Sequence, residues 1–201
     1  LRARLGVAEG AGLVLGAGYG DLRKGFDLFL QAWRAASRRD RQVVFCWIGA
    51  LDPAMRSYLA PEIEAACTTG RFLLPGHQDE VADWFCAADS FALTSREDPF
   101  PSAVLEALSA GLPSVAFEGS GGIPALLRAH GCGRVVPMAD ATAMARALLA
   151  QLQQGGADRP RLAALARQHF DFATYAEAML HTAQPGLPRI SVVVPGYNYA
   201  R

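Results

Sequence analysis

The sequence lacks the features that mark several large classes of protein. It has no excess of charge of either sign, because Lys plus Arg and Asp plus Glu each number 19. Nucleic-acid-binding proteins usually carry a basic excess, so this balance argues against that class of partner. No apolar run approaches the roughly 18 residues that a membrane-spanning helix needs. The sequence also contains no internal repeat and no low-complexity tract. We therefore expect neither a nucleic-acid partner nor a membrane span.

Cysteine is scarce, and its spacing argues against a metal site. The four cysteines, Cys46, Cys67, Cys86 and Cys132, include no Cys-x-x-Cys pair and lie in apolar or helical surroundings. Such cysteines are typical of reduced thiols in a cytosolic protein. We therefore expect a cytoplasmic protein with no bound metal. The sequence begins at Leu1 rather than Met, which suggests a fragment and is compatible with a removed signal peptide.

Short apolar segments alternate with longer helical patterns along most of the chain, and 51% of the residues are hydrophobic. We predict strands near 12–17, 43–48, 71–75, 89–94, 113–117 and 134–136. We predict helices near 24–38, 54–67, 79–87, 102–110, 122–130 and 140–153, and a last helical region over 159–182 that is interrupted around Phe170. Near-continuous apolar strands are typical of parallel sheets covered on both faces. The alternation predicts an α/β fold with a Rossmann-like, doubly wound parallel sheet of six strands.

Two carboxylates flank a predicted loop-to-helix junction after the fourth strand. Asp98 and Glu106 lie eight positions apart, and Asp98 precedes a proline, which favours extended backbone at that residue. The predicted helix would carry Glu106 in its first turns. Its N-terminus would expose the free N–H groups of Ser102, Ala103 and Val104. Phosphate is the usual anion at such a helix end. A pair of solvated acids at a helix start is the alternative interpretation.

A glycine-rich turn follows the first predicted strand, at the end of a doubly wound sheet where ligands bind. Gly18 and Gly20 would let the backbone approach a ligand closely. Arg23 and Lys24 follow at a predicted helix start, where they could hold a diphosphate. Two solvated cations are again the alternative interpretation.

These motifs resemble those of a known family. The segment from Asp98 to Glu106, with its Glu-Ala-Leu-Ser-Ala-Gly-x-Pro continuation, resembles the acidic-x7-acidic motif of the retaining glycosyltransferases of family 4. The usual first acid there is glutamate, so Glu97 is an alternative to Asp98. Lys24, followed by Gly-x-Asp-x-Leu, resembles the family's diphosphate-binding lysine region. Tyr19 occupies the place of an arginine that many members carry, so Arg23 would supply that charge.

The resemblance covers about residues 5–180 and implies the C-terminal, donor-binding half of a GT-B fold. Lys24 and Arg23 would then hold the diphosphate of a nucleotide sugar, Glu106 the ribose hydroxyls and Asp98 the donor sugar. The amides of Ser102, Ala103 and Val104 would add phosphate contacts. The resemblance also assigns His77 to the nucleotide base, and Gly121 and Gly122 to the donor sugar. For these three residues the alternatives are a surface-turn histidine and a tight turn that needs positive φ at both glycines.

The family transfers a sugar from a nucleotide-diphosphate donor with retention at the anomeric carbon and without a metal. The resemblance therefore implies a hexosyltransferase that needs no cofactor beyond its donor substrate. Its acceptor, a glycan or a lipid-linked molecule, would bind to an N-terminal Rossmann domain that this chain lacks. We therefore expect the chain alone to bind the donor but to transfer poorly. Two alternatives stay open: a nucleotide-sugar epimerase-like GT-B enzyme, and a non-catalytic donor-binding or structural domain of a multi-domain glycan assembly protein.

The end of the chain predicts a change of domain. We expect one domain over residues 1–182, a linker over 183–189, and the start of a second domain over 190–201. The β-branched segment that ends in Pro195-Gly-Tyr-Asn198 resembles the opening strand of family 2 glycosyltransferases, which have the GT-A fold. One further edge strand of the first domain is the alternative.

Overall fold

Six strands form one parallel sheet in the computed structural model, which describes residues 1–170. The strands are β1 (Leu13–Ala17), β2 (Val44–Ile48), β3 (Phe72–Gly76), β4 (Ser90–Leu93), β5 (Ser114–Phe117) and β6 (Gly133–Val136). Their order across the sheet is β3-β2-β1-β4-β5-β6, and every neighbouring pair is parallel. All six strands lie at their predicted places. The predicted doubly wound α/β fold is therefore confirmed.

Helices cover both faces of this sheet. They are α1 (Phe26–Ser37), α2 (Pro53–Tyr58), α3 (Ala60–Thr68), α4 (Val81–Ala87), α5 (Ser102–Ser109), α6 (Ile123–His130), α7 (Ala141–Gln154) and α8 (Arg159–His169), with a 3₁₀ turn over Gly155–Asp158. Buried side chains from α1, α3 and α7 form one apolar cluster on the sheet, and side chains from α4, α5, α6 and α8 form the other. Because β1, β2, β4 and β5 have apolar neighbours on both faces, their sequences are apolar almost throughout.

The aromatic residues that follow helical or strand periodicity belong to these clusters. Trp33, Trp47, Trp84 and Phe91 are all buried, as expected for core rather than ligand-binding side chains. Phe29 packs against Trp47, with ring centroids 5.2 Å apart. The two clusters therefore hold the strands rigidly, so that the loops at their carboxyl ends have a fixed frame.

Among the differences between the predicted and the observed helix bounds, two have a clear local cause. The single helix predicted over 54–67 is two helices, because Pro61 lies in the first turn of α3 and cannot donate the backbone hydrogen bond that would continue α2. The helix predicted from residue 24 begins at Phe26, because Gly25 adopts the left-handed conformation at φ 70° and ψ 37°. Lys24 therefore lies in the turn before α1 rather than on the helix.

The C-terminal predictions fall largely outside the described residues. Helix α8 ends at His169, and the rest of the helical region predicted over 159–182 lies beyond residue 170. The predicted linker at 183–189 and the predicted second domain at 190–201 lie beyond it as well.

Candidate functional site

Lys24 and Asp98 meet at the carboxyl edge of the sheet. Strands β1 and β4 are parallel neighbours, so the turns that follow them lie side by side. The Lys24 Nζ atom lies 2.5 Å from the Asp98 Oδ2 atom, although 74 positions separate the two residues. Asp98 is buried at 7% exposure, and the Ser95 hydroxyl donates to the same carboxylate oxygen at 3.3 Å. The structure thus places the predicted cation and the predicted first acid in one half-buried ion pair.

Burial distinguishes the two acids that could fill the first acidic position. Glu97 is exposed, whereas Asp98 is buried beside Lys24. The backbone N–H of Asp98 also donates to the Ser120 carbonyl at 2.7 Å. Asp98 is therefore held from two sides, and its carboxylate points towards the turn after β1.

The N-terminus of α5 offers fewer free amides than the sequence predicts. Pro101 is the N-cap residue and no side chain caps the helix. The N–H of Val104 donates to the Pro101 carbonyl at 3.2 Å, so the amides left for an anion are those of Ser102 and Ala103. Glu106 is exposed on this helix, and among residues 1–170 its carboxylate has no hydrogen-bond or ion-pair partner. That carboxylate is available to a ligand.

The glycine turn after β1 has two different functions in the fold. Gly18, at φ 132°, lies beneath the Lys24 side chain, and its carbonyl accepts a hydrogen bond from Trp47 Nε1 at 3.1 Å. A side chain at Gly20 would overlap Leu51, and the Gly20 N–H donates to the Ala50 carbonyl at 2.8 Å. Gly20 thus packs against the loop after β2, whereas Gly18 lies under the predicted phosphate-binding lysine.

The turn after β5 packs directly on the Asp98 loop. A Cβ atom on Gly121, which has φ 145°, would overlap the carbonyl oxygen of Asp98. Gly122 has an ordinary φ of −77°, so the interpretation that both glycines need positive φ is wrong for Gly122. A Cβ there would instead lie 3.0 Å from the Phe100 ring and 3.3 Å from the Pro99 carbonyl. Close loop packing therefore accounts for Gly122.

The other predicted site residues lie further from the ion pair. The Arg23 guanidinium is near the surface and donates to the Glu97 carbonyl at 3.3 Å. His77 follows the edge strand β3 and is 69% exposed, with its Nε2 atom 3.5 Å from Asp79 Oδ1. Because β2 lies between β3 and β1, His77 is at the periphery of the site. Only an extended ligand could contact both His77 and the Lys24–Asp98 ion pair.

Sequence inspection missed an ion pair between Arg96 and Asp27. The two guanidinium Nη atoms donate to the two carboxylate oxygens at 2.8 and 2.7 Å. The hydrogen bond to Asp27 raises the pKa of Arg96 above its ordinary value, so the guanidinium stays charged over the working range of a protein. Asp27 belongs to the Gly-x-Asp segment after Lys24, and Arg96 lies two positions before Asp98. The sequence could have indicated this ion pair, because each of its residues lies close to one of the two predicted motifs.

Two cavities lie at opposite edges of the sheet, and only one of them is near the predicted site residues. One, of about 710 Å³, lies at the carboxyl edge of the sheet beside the predicted site. It is lined in part by Leu22, Arg23, Met55, Arg96 and Glu97. The other, of about 880 Å³, lies at the opposite edge, between the start of β1 and the end of α7. Of the predicted site residues, Arg23 and Glu97 line the first cavity and none lines the second, so the first is the better candidate for a ligand site.

Among residues 1–170, no three His, Cys, Asp or Glu side chains are close enough together to hold a metal ion. No helix there is both long and apolar enough to cross a bilayer.

Known proteins resemble this chain in sequence. The family model described as "Glycosyl transferases group 1" matches residues 13–154. A D-inositol 3-phosphate glycosyltransferase of Xylanimonas cellulosilytica is 34% identical over 189 residues, which are 90% of this chain and 44% of that protein. The lipopolysaccharide core biosynthesis mannosyltransferase LpsB of Rhizobium meliloti is 33% identical over 132 residues, 62% of this chain and 36% of that protein. The chain thus spans less than half the length of these relatives.

Solved structures resemble it in fold. Anabaena HepE in complex with UDP superposes with a TM-score of 0.78 at 23% identity, over 90% of this chain and 50% of that one. Sucrose-phosphate synthase from Thermosynechococcus elongatus gives 0.74 at 25% identity, over 90% and 47%. The six-stranded sheet matches the C-terminal Rossmann-like domain of GT-B glycosyltransferases. With a family model that matches most of its length, the chain belongs to the glycosyl transferases group 1 family.

Proposed function

We propose that this chain is the donor-binding half of a retaining, metal-independent hexosyltransferase of family 4. The observation that carries the proposal is the ion pair between Lys24 and Asp98 at the carboxyl edge of β1 and β4. In open α/β sheets, ligands bind at this edge. A buried carboxylate and an adjacent cation together suit a ligand that has both hydroxyl and phosphate groups. A nucleotide-diphosphate sugar is such a ligand.

The chemistry requires that negative charge be stabilised on the departing diphosphate. When the bond between the anomeric carbon and the phosphate oxygen breaks, that oxygen takes the bonding electrons. Fixed cations and helix amides can stabilise this charge where a metal ion would otherwise do so. In this chain, Lys24, Arg23 and the amides of Ser102 and Ala103 would provide that stabilisation.

The two acids would bind hydroxyl groups at opposite ends of the donor. Asp98 is buried next to Lys24 and would accept hydrogen bonds from the donor sugar. Glu106 is exposed on α5 and would accept them from the ribose. His77 would lie at the base, beyond β2. Gly121 would serve this arrangement by letting the loop after β5 approach the Asp98 carbonyl.

The acceptor and the rest of the enzyme are inferred from the relatives. One is described as acting in lipopolysaccharide core biosynthesis, which supports a glycan or lipid-linked acceptor. The chain covers 44% of the length of another, and we infer that an N-terminal Rossmann domain completes the acceptor site. We also propose that residues 190–201 begin a GT-A domain. The free cysteines of the described part fit a cytoplasmic enzyme.

Calorimetric titration with UDP, GDP and ADP tests the donor site. HepE binds UDP, so UDP is the first titrant. Lys24→Ala and Glu106→Ala should each weaken binding by about 1.5–3 kcal/mol, because each removes a charge-assisted contact. Arg34→Ala and Glu64→Ala are matched controls, since both residues are exposed on helices away from this edge. If both site variants bind as tightly as the wild type, the site assignment is wrong.

A non-catalytic donor-binding domain is the second candidate. The Tyr19 hydroxyl donates to Asp52 Oδ2 at 3.2 Å, so Tyr19 brings no cation to a position where many family 4 members carry an arginine. A chain with one cation fewer could bind a donor without turning it over. Sugar transfer by the full-length protein would exclude this candidate, and donor binding without any turnover would establish it.

A further inference from the structure

Arg96 ties the turn that carries Lys24 to the loop that carries Asp98. Its guanidinium donates to both carboxylate oxygens of Asp27, at 2.8 and 2.7 Å. It also donates to the Leu22 carbonyl at 2.7 Å. The backbone N–H of Arg96 donates to the Arg23 carbonyl at 2.8 Å. These contacts hold the chain on both sides of Lys24, from residue 22 to residue 27.

The backbone of Lys24 itself is fixed by a second group of contacts. Its N–H donates to Asp21 Oδ1 at 2.7 Å, and its carbonyl accepts a hydrogen bond from the Thr94 hydroxyl at 3.2 Å. The next residue, Gly25, has φ 70°, and a Cβ atom there would overlap the Thr94 carbonyl oxygen. Because the backbone of Lys24 is held in this way, its side chain starts from a fixed position that lets it reach Asp98.

We propose that Arg96 is a positioning residue of the donor site, which acts by holding the Lys24 turn against the Asp98 loop. Arg96 contacts Asp27 and two carbonyls of the turn, so its effect on a donor would pass through Lys24. This role in donor binding rests on the function proposed above, whereas the positioning of Lys24 can be measured without a donor.

Arginine suits this position because of its shape. A planar guanidinium donates to both oxygens of one carboxylate and still reaches a neighbouring carbonyl, whereas an ammonium is a single point charge. Arg96 uses its Nη atoms in this way, on Asp27 and on Leu22. Lysine at position 96 would keep the charge but lose part of the contact to the turn. Arg96→Lys should therefore give an effect between those of the wild type and Arg96→Ala.

The first test measures the position of Lys24 directly. Lys24 is the only lysine in the sequence, so an amine-acylating reagent labels one side chain, which peptide mapping separates from the N-terminal amine. An amine paired with a carboxylate has to leave it before it reacts. Asp98→Asn therefore gives the labelling rate of a released Lys24. Arg96→Ala should raise the rate several-fold towards that value. Arg96→Lys should raise it less, and peptide mapping there also separates the label at position 24 from that on the new amine at position 96.

A matched control separates positioning from general loosening of the fold. Arg161 also contacts both oxygens of an aspartate, Asp158, at 2.7 and 2.6 Å. That pair lies at the start of α8, near the opposite edge of the sheet. Arg161→Ala should leave the labelling of Lys24 at the wild-type rate. If Arg96→Ala labels at the wild-type rate, or no faster than Arg161→Ala, the proposal is overturned.

The second test is a double-mutant cycle on titration with UDP, GDP and ADP. Arg96→Ala should weaken binding of the tightest of these nucleotides by about tenfold, because a displaced Lys24 would lose its charge-assisted contact to the diphosphate. In a Lys24→Ala background the same change should cost little, because the residue through which it acts is gone. Equal losses in both backgrounds would overturn a role through Lys24.

The two tests fail in different ways. If none of the three nucleotides binds the wild type, the proposed function fails, and the labelling rates still decide whether Arg96 positions Lys24. Thermal melting of each variant establishes that it is folded. Should Arg96→Ala not fold, Asp27→Asn weakens the same pair from the other side and replaces it in both tests, with the same expected outcomes.

Discussion

Replacing Gly121 with alanine should disturb the donor site through the backbone alone. Gly121 has φ 145°, which L-residues rarely adopt, and an added Cβ would overlap the Asp98 carbonyl oxygen and lie 2.9 Å from the Pro99 carbonyl oxygen. The two loops are also joined by hydrogen bonds from Asp98 N to Ser120 O, at 2.7 Å, and from Gly122 N to Pro99 O, at 2.8 Å. They therefore cannot separate to admit the methyl group without breaking those bonds.

The expected loss of stability on Gly121→Ala has two parts. Strained backbone at such a φ costs about 1–3 kcal/mol, and overpacking against fixed neighbours costs about 1–3 kcal/mol more. Gly121→Ala should therefore lower the free energy of unfolding by about 2–6 kcal/mol. Gly119 is the matched control, because it has φ 74° in the same turn with nothing within 4 Å of its Cβ position. Gly119→Ala should cost only the left-handed backbone penalty, about 1–2 kcal/mol.

Urea denaturation of the two variants and the wild type measures both costs, and UDP titration then reports on the site. Gly121→Ala should be the less stable variant and the weaker binder, because the Asp98 loop has to move. Thermal melting gives the same ranking, at about 2–4 °C per kcal/mol for a chain of this size. If Gly121→Ala is as stable as Gly119→Ala, the close approach of the two loops is wrong.

Three further predictions follow from burial and from the sequence. In the full-length enzyme, Asp98→Asn should lower turnover far more than Glu97→Gln, because only Asp98 is buried beside Lys24; the reverse ranking would move the site by one residue. Burial raises the pKa of the Cys46 thiol from 9.0 to about 12, so its contribution to stability is complete below about pH 9 and is lost as the pH rises towards 12. Over this pH range, the free energy of unfolding measured by urea denaturation should fall less steeply for Cys46→Ala than for the wild type. Equal slopes would contradict the raised pKa of Cys46. Deleting residues 187–201 should leave the melting temperature nearly unchanged if they begin a second domain, whereas a drop of many degrees would make them part of the first.

The fold could be predicted from the sequence because its strands are apolar on both faces. Segments such as the one at 43–48 are short, continuously apolar and rich in β-branched and aromatic residues, which favours covered strands, and all six lie where they were predicted. The errors occurred at single residues with special backbone. Pro61 divides a predicted helix into α2 and α3, and Gly25 delays the start of α1. Both residues were visible in the sequence, but their effect depends on where the neighbouring helix begins.

The site could be predicted only one loop at a time. Lys24, Asp98 and Glu106 each lie after a strand or on the helix that follows it, which the pattern of strands and turns indicates. Their contacts across loops depend on which strands are neighbours. Strand β4 pairs with β1, and this pairing brings Lys24 to Asp98 and Arg96 to Asp27, pairs that are 74 and 69 positions apart. The order of the strands across the sheet cannot be read from a single sequence.

The charges of the site also imply how a donor must bind. Lys24 is paired with Asp98, so a diphosphate that recruits Lys24 deprives a buried carboxylate of its cation and leaves it with the Ser95 hydroxyl. An unpaired buried carboxylate is costly, and a nucleoside diphosphate cannot repair that loss because its phosphates only accept hydrogen bonds. The hydroxyls of a donor sugar can repair it, by donating to Asp98. The complete nucleotide sugar should therefore bind more tightly than its diphosphate, and Asp98→Asn should remove most of that difference. A diphosphate that binds the wild type as tightly as its sugar conjugate would contradict this assignment of Asp98.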